Sequence, residues 1–240
     1  MARGFMDEHV WKDPRIVAGT NRLLMKLDEV QNGGSQLGGW KLGLGAPAAR
    51  NKFQITAPVV GYLLQENFVR RDTSVDISSL VNPMAEAEIA VYFRSEVHPD
   101  CPHEDLLQNI EAIGSAIEIV DVDASTDNLE AILAKNIYQR RVVLGPLVSN
   151  WNAANVEQSP ATVWLNDVPV HEVPDSVALT GRMLDNIQHT ARYLRAFNRI
   201  IGSGQVLILG AIAPPLSLRD ARTVRTSVGG LAPLGIELQH

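Results

Sequence analysis

Residues 84–93, MAEAEIAVYF, constrain the fold more than any other part of this chain. The run is β-rich and apolar except for Glu86 and Glu88, two positions apart. Side chains at i and i+2 of a strand point to the same face. As a strand, the run therefore presents Glu86 and Glu88 on one face and Ala85, Ala87 and Ile89 on the other. Carboxylates that close repel and raise each other's pKa unless positive charge lies between them.

A second apolar run, AIEIVDVD at 116–123, carries Glu118 at its centre. An unpaired carboxylate buried there would cost several kcal/mol. Two readings follow. In one, a hard divalent cation such as Mg²⁺ or Mn²⁺ takes oxygen ligands from Glu86 and Glu88, and Glu118 is the third arm. In the other, Glu86 and Glu88 lie on a solvated face and Glu118 pairs with an arginine. Spacing alone leaves both open. Asp121 and Asp123 fall on the strand face opposite Glu118 and read as surface or structural groups.

Composition removes several function classes. The 240 residues are 45% hydrophobic, enough to bury a full core. The net charge is −6 and there is no basic stripe, so nucleic acid is not an expected partner. No apolar run is long enough to cross a bilayer, so no membrane partner is expected. The first residues are polar and charged, unlike a secretory signal. The single cysteine, Cys101, cannot form an internal disulfide and reads as a thiol in a reducing, cytoplasmic compartment. A zinc site on Cys101, His98 and His103 lacks a fourth ligand at usable spacing. No Ser-His-Asp set, phosphate loop or dinucleotide fingerprint is present.

The pattern along the chain predicts an α+β fold in one domain spanning 1–240. A helical N-terminal segment (1–38) precedes a β-rich core (39–240). A helix is expected over 13–31, with Asp13-Pro14 as cap and first turn and Ile16, Leu23, Leu24, Leu27 and Val30 at helical period. Strands are expected at 39–45, 55–64, 74–80, 84–93 and 116–123, then at RRVVLG, ATVWLND and GQVLILGAI. Further helices are expected at 103–114, at 126–136 with Thr126 or Asp127 as cap, and at 181–201. The tail reads as a hairpin around Gly229-Gly230.

Several segments recur in a familiar order: GWKLGLG, APVVGYLLQE, AEAEIAVYF, SAIEIVDVD, AKN, VVLG, SGQVLILGAIAPPL and GGLAPLGIEL. This series resembles the 2-keto-4-pentenoate hydratase and 4-oxalocrotonate decarboxylase branch of the fumarylacetoacetate hydrolase superfamily, from about residue 15 to the C-terminus. The resemblance implies a mixed β-roll preceded by helices, a homo-oligomer, and Mg²⁺ or Mn²⁺ held by three carboxylates. Motif matching places those ligands at Glu86, Glu88 and Glu118. It places the family lysine at Lys41, for substrate binding or proton transfer, an acid–base glutamate at Glu66, and a retained, substrate-binding asparagine at Asn136. The implied activity is a metal-dependent lyase acting on a 2-oxo (or 2-hydroxy-dienoic) acid, of the hydratase type. The alternatives are decarboxylation, another reaction on a related keto or enol substrate, or a catalytically silent assembly subunit.

The chain departs from the family pattern at named positions. Asp123 stands where an arginine is expected. Lys135 replaces an acid, Tyr138 a serine, and Leu209 a hydroxyl residue. Arg219-Asp220-Ala221 replaces a Gly-Asp pair, and the 181–201 region lacks the family's His-Pro and Trp-Leu-Ala. His9 lacks the motif context of the superfamily's hydrolases. The other histidines, His98, His103, His171, His189 and His240, read as solvated.

Overall fold

The computed structural model describes residues 10–152 and 156–240, so His9 lies outside the described part. Helix α1 (Pro14–Asn32) begins as the sequence predicts. The Asp13 carboxylate accepts from the Arg15 N–H at 2.9 Å, and Pro14 fills the first turn, where its missing N–H costs nothing. Ile16, Leu23, Leu24 and Leu27 are buried on one face of α1, which packs on α4 (Leu129–Ala134).

Two sheets follow. The larger contains β1 (Leu37–Gly43), β2 (Val59–Leu64), β3 (Phe68–Val69), β5 (Pro83–Phe93), β6 (Ile110–Asp121), β7 (Gln139–Leu144), β10 (Val206–Ile208) and β11 (Leu216–Ser217). Its order is β2-β1-β10-β5-β6-β7-β3, with β11 also paired to β5. The smaller contains β4 (Val75–Asp76), β8 (Ala161–Leu165), β9 (Val168–Val173), β12 (Thr223–Val228) and β13 (Leu234–Gln239), in the order β4-β13-β12-β8-β9. Ala85, Ile117, Ile119 and Val143 of the large sheet share a core cluster with Val224, Leu234 and Ile236 of the small one. Ala87, Ile89, Val91 and Phe93 belong to the main core, with residues of α1 and of α5 (Met183–Ala196).

Some expected boundaries move. The helix predicted over 103–114 is α3 (His103–Asn109) only, and residues 110–114 open β6. The physical reason is β5. Its eleven residues need a paired neighbour along their whole length, and the register runs from Pro83↔Asp121 to Phe93↔Ile110. α4 is capped by Asn128, whose side chain accepts from the Ala131 N–H at 3.0 Å; the Asp127 carboxylate pairs instead with Lys52 at 2.8 Å. The long helix ends at Ala196, and Ile201 bridges to Val97. The predicted 74–80 strand is only the two-residue β4, and β9 carries no expectation from the pattern. The tail hairpin forms as expected, with Thr223 opposite Glu237.

Candidate metal and substrate site

The register of β5 against β6 sets Glu86 directly opposite Glu118 and Glu88 opposite Ala116. Directly opposed residues share a face, so all three carboxylates project from one side of the large sheet. Lys41 joins them across β10: it pairs with Ile208, which pairs with Ala90. Ala90, Ala116, Val142 and Ile208 form a small apolar cluster on this same face. The glutamates therefore rise from an apolar floor.

One carboxylate oxygen from each of Glu86, Glu88 and Glu118 lies within 4.8 Å of the others. Lys41 Nζ donates to Glu118 Oε1 at 2.5 Å, with side-chain exposures of 1% and 0%. Glu88 Oε2 accepts from the Gly210 N–H at 2.8 Å. Gly210 has a φ of 93°, a conformation that glycine adopts without strain, and it is here that the chain leaves β10. Glu88 Oε1 and Glu118 Oε2 are buried and have no hydrogen-bond partner.

Three carboxylates and one ammonium leave two uncompensated negative charges when all are ionised. The groups respond accordingly. Burial, with the nearby charges of Glu118 and Glu86, pushes the Glu88 carboxyl well above the usual range. Burial raises Glu118 to about 7 against the opposing pull of Lys41, and it raises Glu86 as well. Burial alone would lower Lys41, but the charges of Glu118, Glu86 and Glu88 outweigh it and raise it. Two orphaned buried oxygens in an all-carboxylate donor set fit a hard divalent cation, whose charge cancels the excess. Among the described residues this is the one such group of histidine, cysteine or acidic side chains.

Beside Glu86 opens a cavity of about 560 Å³. Leu42, Leu44, Pro58, Leu179, Leu209 and Pro214 contribute to its wall, and Glu86 and Thr180 are its polar side chains.

The other residues singled out in the sequence have varied placements. Asn136 is buried beside Lys41's strand pair. Its side chain accepts from the Tyr62 N–H at 2.8 Å and donates to the Tyr62 carbonyl at 2.9 Å. It thus clamps β2 at the residue next to Gly61, the partner of Lys41. A Cβ at Gly61 would stand 2.7 Å from Asn136 Oδ1 and 3.1 Å from Lys41 Cγ, so the close approach requires glycine. Glu66 is not brought to this group. It is exposed past the end of β2, where Leu64 pairs with Leu37, and it accepts from the Ser35 hydroxyl.

Asp121 is structural, accepting the N–H groups of Val81 and Asn82. Asp123 and Lys135 meet in an ion pair at 2.8 Å, with Arg140 at 3.4 Å from Asp123. Where the family pattern leads one to expect an arginine and an acid, an acid and a lysine stand instead, and in this fold they pair. The Tyr138 hydroxyl donates to the Ser125 carbonyl at 2.8 Å. Cys101, His98 and His103 do not assemble a metal group. The expectation of solvated histidines fails at His189, which is 4% exposed with its Nε2 2.9 Å from the Pro58 carbonyl. Its place on the inner face of α5, packed near Trp11 and Tyr193, overrides its polarity. Sequence reasoning missed Gly210, Gly61 and the cavity wall. The Gly-rich context of both glycines was visible, but not what they approach.

No family model matches this sequence. Curated relatives do. The chain is 23% identical over 201 residues to 4-oxalocrotonate decarboxylase of Pseudomonas putida, covering 82% of this chain and 76% of the relative. It is 20% identical over 210 residues to 2-oxo-hept-4-ene-1,7-dioate hydratase of Escherichia coli, covering 84% and 78%. Among solved structures, 4-oxalocrotonate decarboxylase from Pseudomonas putida G7, complexed with magnesium and adipate, superposes with a TM-score of 0.85 at 20% identity, over 93% of this chain and 86% of that one. The fold is thus the fumarylacetoacetate-hydrolase-like mixed roll expected from the sequence. The resemblance to the hydratase and decarboxylase branch of that superfamily is borne out by the relatives.

Proposed function

We propose that this protein is a divalent-metal-dependent lyase acting on a 2-oxo (or 2-hydroxy-dienoic) acid, of the hydratase type, with Glu86, Glu88 and Glu118 as metal ligands. The observation that carries this reading is the pair of buried, unpartnered oxygens, Glu88 Oε1 and Glu118 Oε2, in a group whose third member, Glu86, lines a cavity. A bound Mg²⁺ or Mn²⁺ would supply a Lewis acid that lowers the cost of enolate charge on a chelating 2-oxo acid.

The chain's own residues do the rest. The Gly210 N–H holds one oxygen of Glu88 and leaves the other free. Lys41 does the same for Glu118 and keeps positive charge next to the place where negative charge develops. Asn136 fixes the strand facing Lys41, which makes it a positioning residue. The largely apolar cavity beside Glu86 can take the carbon skeleton of the substrate. Asp123, Lys135 and Tyr138, where the chain departs from its family, bond among themselves and to the 125 turn. They leave the ligand set intact, which favours an enzyme over a silent assembly subunit.

The test is calorimetry of Mg²⁺ and Mn²⁺ binding to the wild type and to Glu88→Gln, with and without oxalate, followed by turnover of 2-hydroxy-dienoic acids. Binding that oxalate strengthens and the variant loses is the expected result. A wild type that binds neither ion overturns the reading. One that binds ion and oxalate but turns over no 2-oxo or dienoic acid leaves the silent subunit.

A further inference from the structure

The cavity beside Glu86 is walled almost entirely by carbon. Leu42 and Leu44 come from the end of β1 and the turn after it, Pro58 from the entry to β2, and Leu179 from the segment before α5. Leu209 and Pro214 come from the stretch that follows β10. Among its described lining residues none carries a positive charge. Lys41 is committed to Glu118 and is 1% exposed. The one charged lining group is Glu86, an anion.

A 2-oxo acid chelated at the three glutamates can direct its far end into this cavity, which Glu86 lines. The volume, about 560 Å³, lies within the range of small-molecule sites and accommodates a tail of several carbons. A second carboxylate on that tail would lose its water against leucine and proline, with no basic side chain in the described wall to replace it. An alkyl or alkenyl tail would bury its carbons without penalty. Leu209 sharpens the contrast, because it sets an isobutyl group at the wall next to Gly210, the residue that holds Glu88.

We propose that this cavity selects 2-oxo acids with an uncharged, apolar far end and disfavours dicarboxylates, with Leu209 and Leu179 as specificity-determining residues. The proposal rests on the metal-chelate reading above. The adipate bound to the Pseudomonas putida G7 decarboxylase is a dicarboxylate, so the two proteins would divide at this wall.

The experiment uses a pair matched in carbon-chain length. 2-Oxohexanoate and 2-oxoadipate have six carbons each and differ in the terminal group. Binding of both to the Mg²⁺-loaded full chain is measured by calorimetry, with oxalate and pyruvate as tail-less controls. The expected order is 2-oxohexanoate tighter than pyruvate, and tighter than 2-oxoadipate by at least roughly tenfold. In Leu179→Arg, at a half-exposed wall position, the ratio should move toward 2-oxoadipate by about tenfold or more. A wild type that binds 2-oxoadipate as tightly as 2-oxohexanoate overturns the proposal while oxalate binding leaves the chelate site standing. Failure of oxalate itself to bind overturns both.

Discussion

Lys41 Nζ and Glu118 Oε1 lie 2.5 Å apart with both side chains buried, joining strands that are separated by β10 and β5. The contact is asymmetric in its consequences. Lys41 is the one cation facing three carboxylates, whereas Glu118 is one anion of three around that cation. Removing a single partner of a buried pair typically costs about 3–5 kcal/mol. Lys41→Met should therefore destabilise the metal-free protein by about that much in urea unfolding, and Glu118→Gln by less. Mg²⁺ should recover part of the Lys41→Met loss. Equal losses in the two variants would contradict this account.

The metal-free protein should become less stable as pH rises through neutrality. Glu118 titrates near 7 in the fold, against an ordinary 4.5, and Glu86 and Glu88 are raised too. Between those pH values the folded state holds protons that the unfolded state has released. The stability these groups contribute is full below pH 4.5 and is lost as pH climbs through the folded value. A cation must displace the same protons, so the rise in Tm on adding Mg²⁺ should be larger at pH 8 than at pH 5. A Tm of the metal-free protein that climbs steadily from pH 5 to 8 would refute the prediction.

His189 governs the acid side. Burial, against the opposing hydrogen bond to Pro58, lowers it to about 4 from 6.5. The fold therefore holds it neutral while the unfolded chain takes up a proton. Stability is lost as pH falls from 6.5 toward 4, by up to about 3 kcal/mol. His189→Gln can still donate to the Pro58 carbonyl but does not titrate. Over this window the wild type should lose stability relative to His189→Gln as pH falls, a difference that stands apart from the opposing titration of the glutamates.

Asn136→Ala removes both side-chain bonds to the Tyr62 backbone. It leaves a buried N–H and C=O without partners, a loss of about 2 kcal/mol or more. The same bonds hold Asn136, Ile137 and Tyr138 at φ of 55°, 52° and 63°, unusual for a β-branched residue such as Ile137. Weaker Mg²⁺ affinity should accompany the lower stability, since β2 faces Lys41 at Gly61. A variant with wild-type urea midpoint would remove the clamp from the account.

The exchange at Asp123 and Lys135 is testable by a double swap. Asp123→Arg and Lys135→Asp should each lower stability, by up to about 1 kcal/mol for a half-exposed pair, and the combination should recover most of the loss. Additive losses would show that the pair contributes nothing.

Much of the site could be read from the chain because alternation in a strand is local. Two positions of separation suffice to place Glu86 and Glu88 on one face, and an apolar run on each side suffices to bury Glu118. Partnerships across the sheet were not readable in this way. Asp123 and Lys135 look like two separate losses in sequence, and only the fold brings them together. The stretch 110–114 carries Ile, Ala and Gly that suit helix or strand, and the need to pair β5 decides it. Glu66 follows a strand that does reach the site, but it lies at the other end of that strand.

The proposed cation ligands stand on β5 and β6, paired strands in the interior of the large sheet, where spacing is set by backbone pitch. The cavity wall is assembled from the end of β1, the start of the short helix that follows it (Pro47–Phe53), and the stretches around 179–180 and 209–215. These two halves answer to different constraints. Side-chain substitutions at Leu42 or Leu179 would change the wall without touching the Gly210 N–H that holds Glu88. A scaffold divided this way could change diet by small steps while its ligand set stays in place, and the specificity proposed for Leu209 would be one such step.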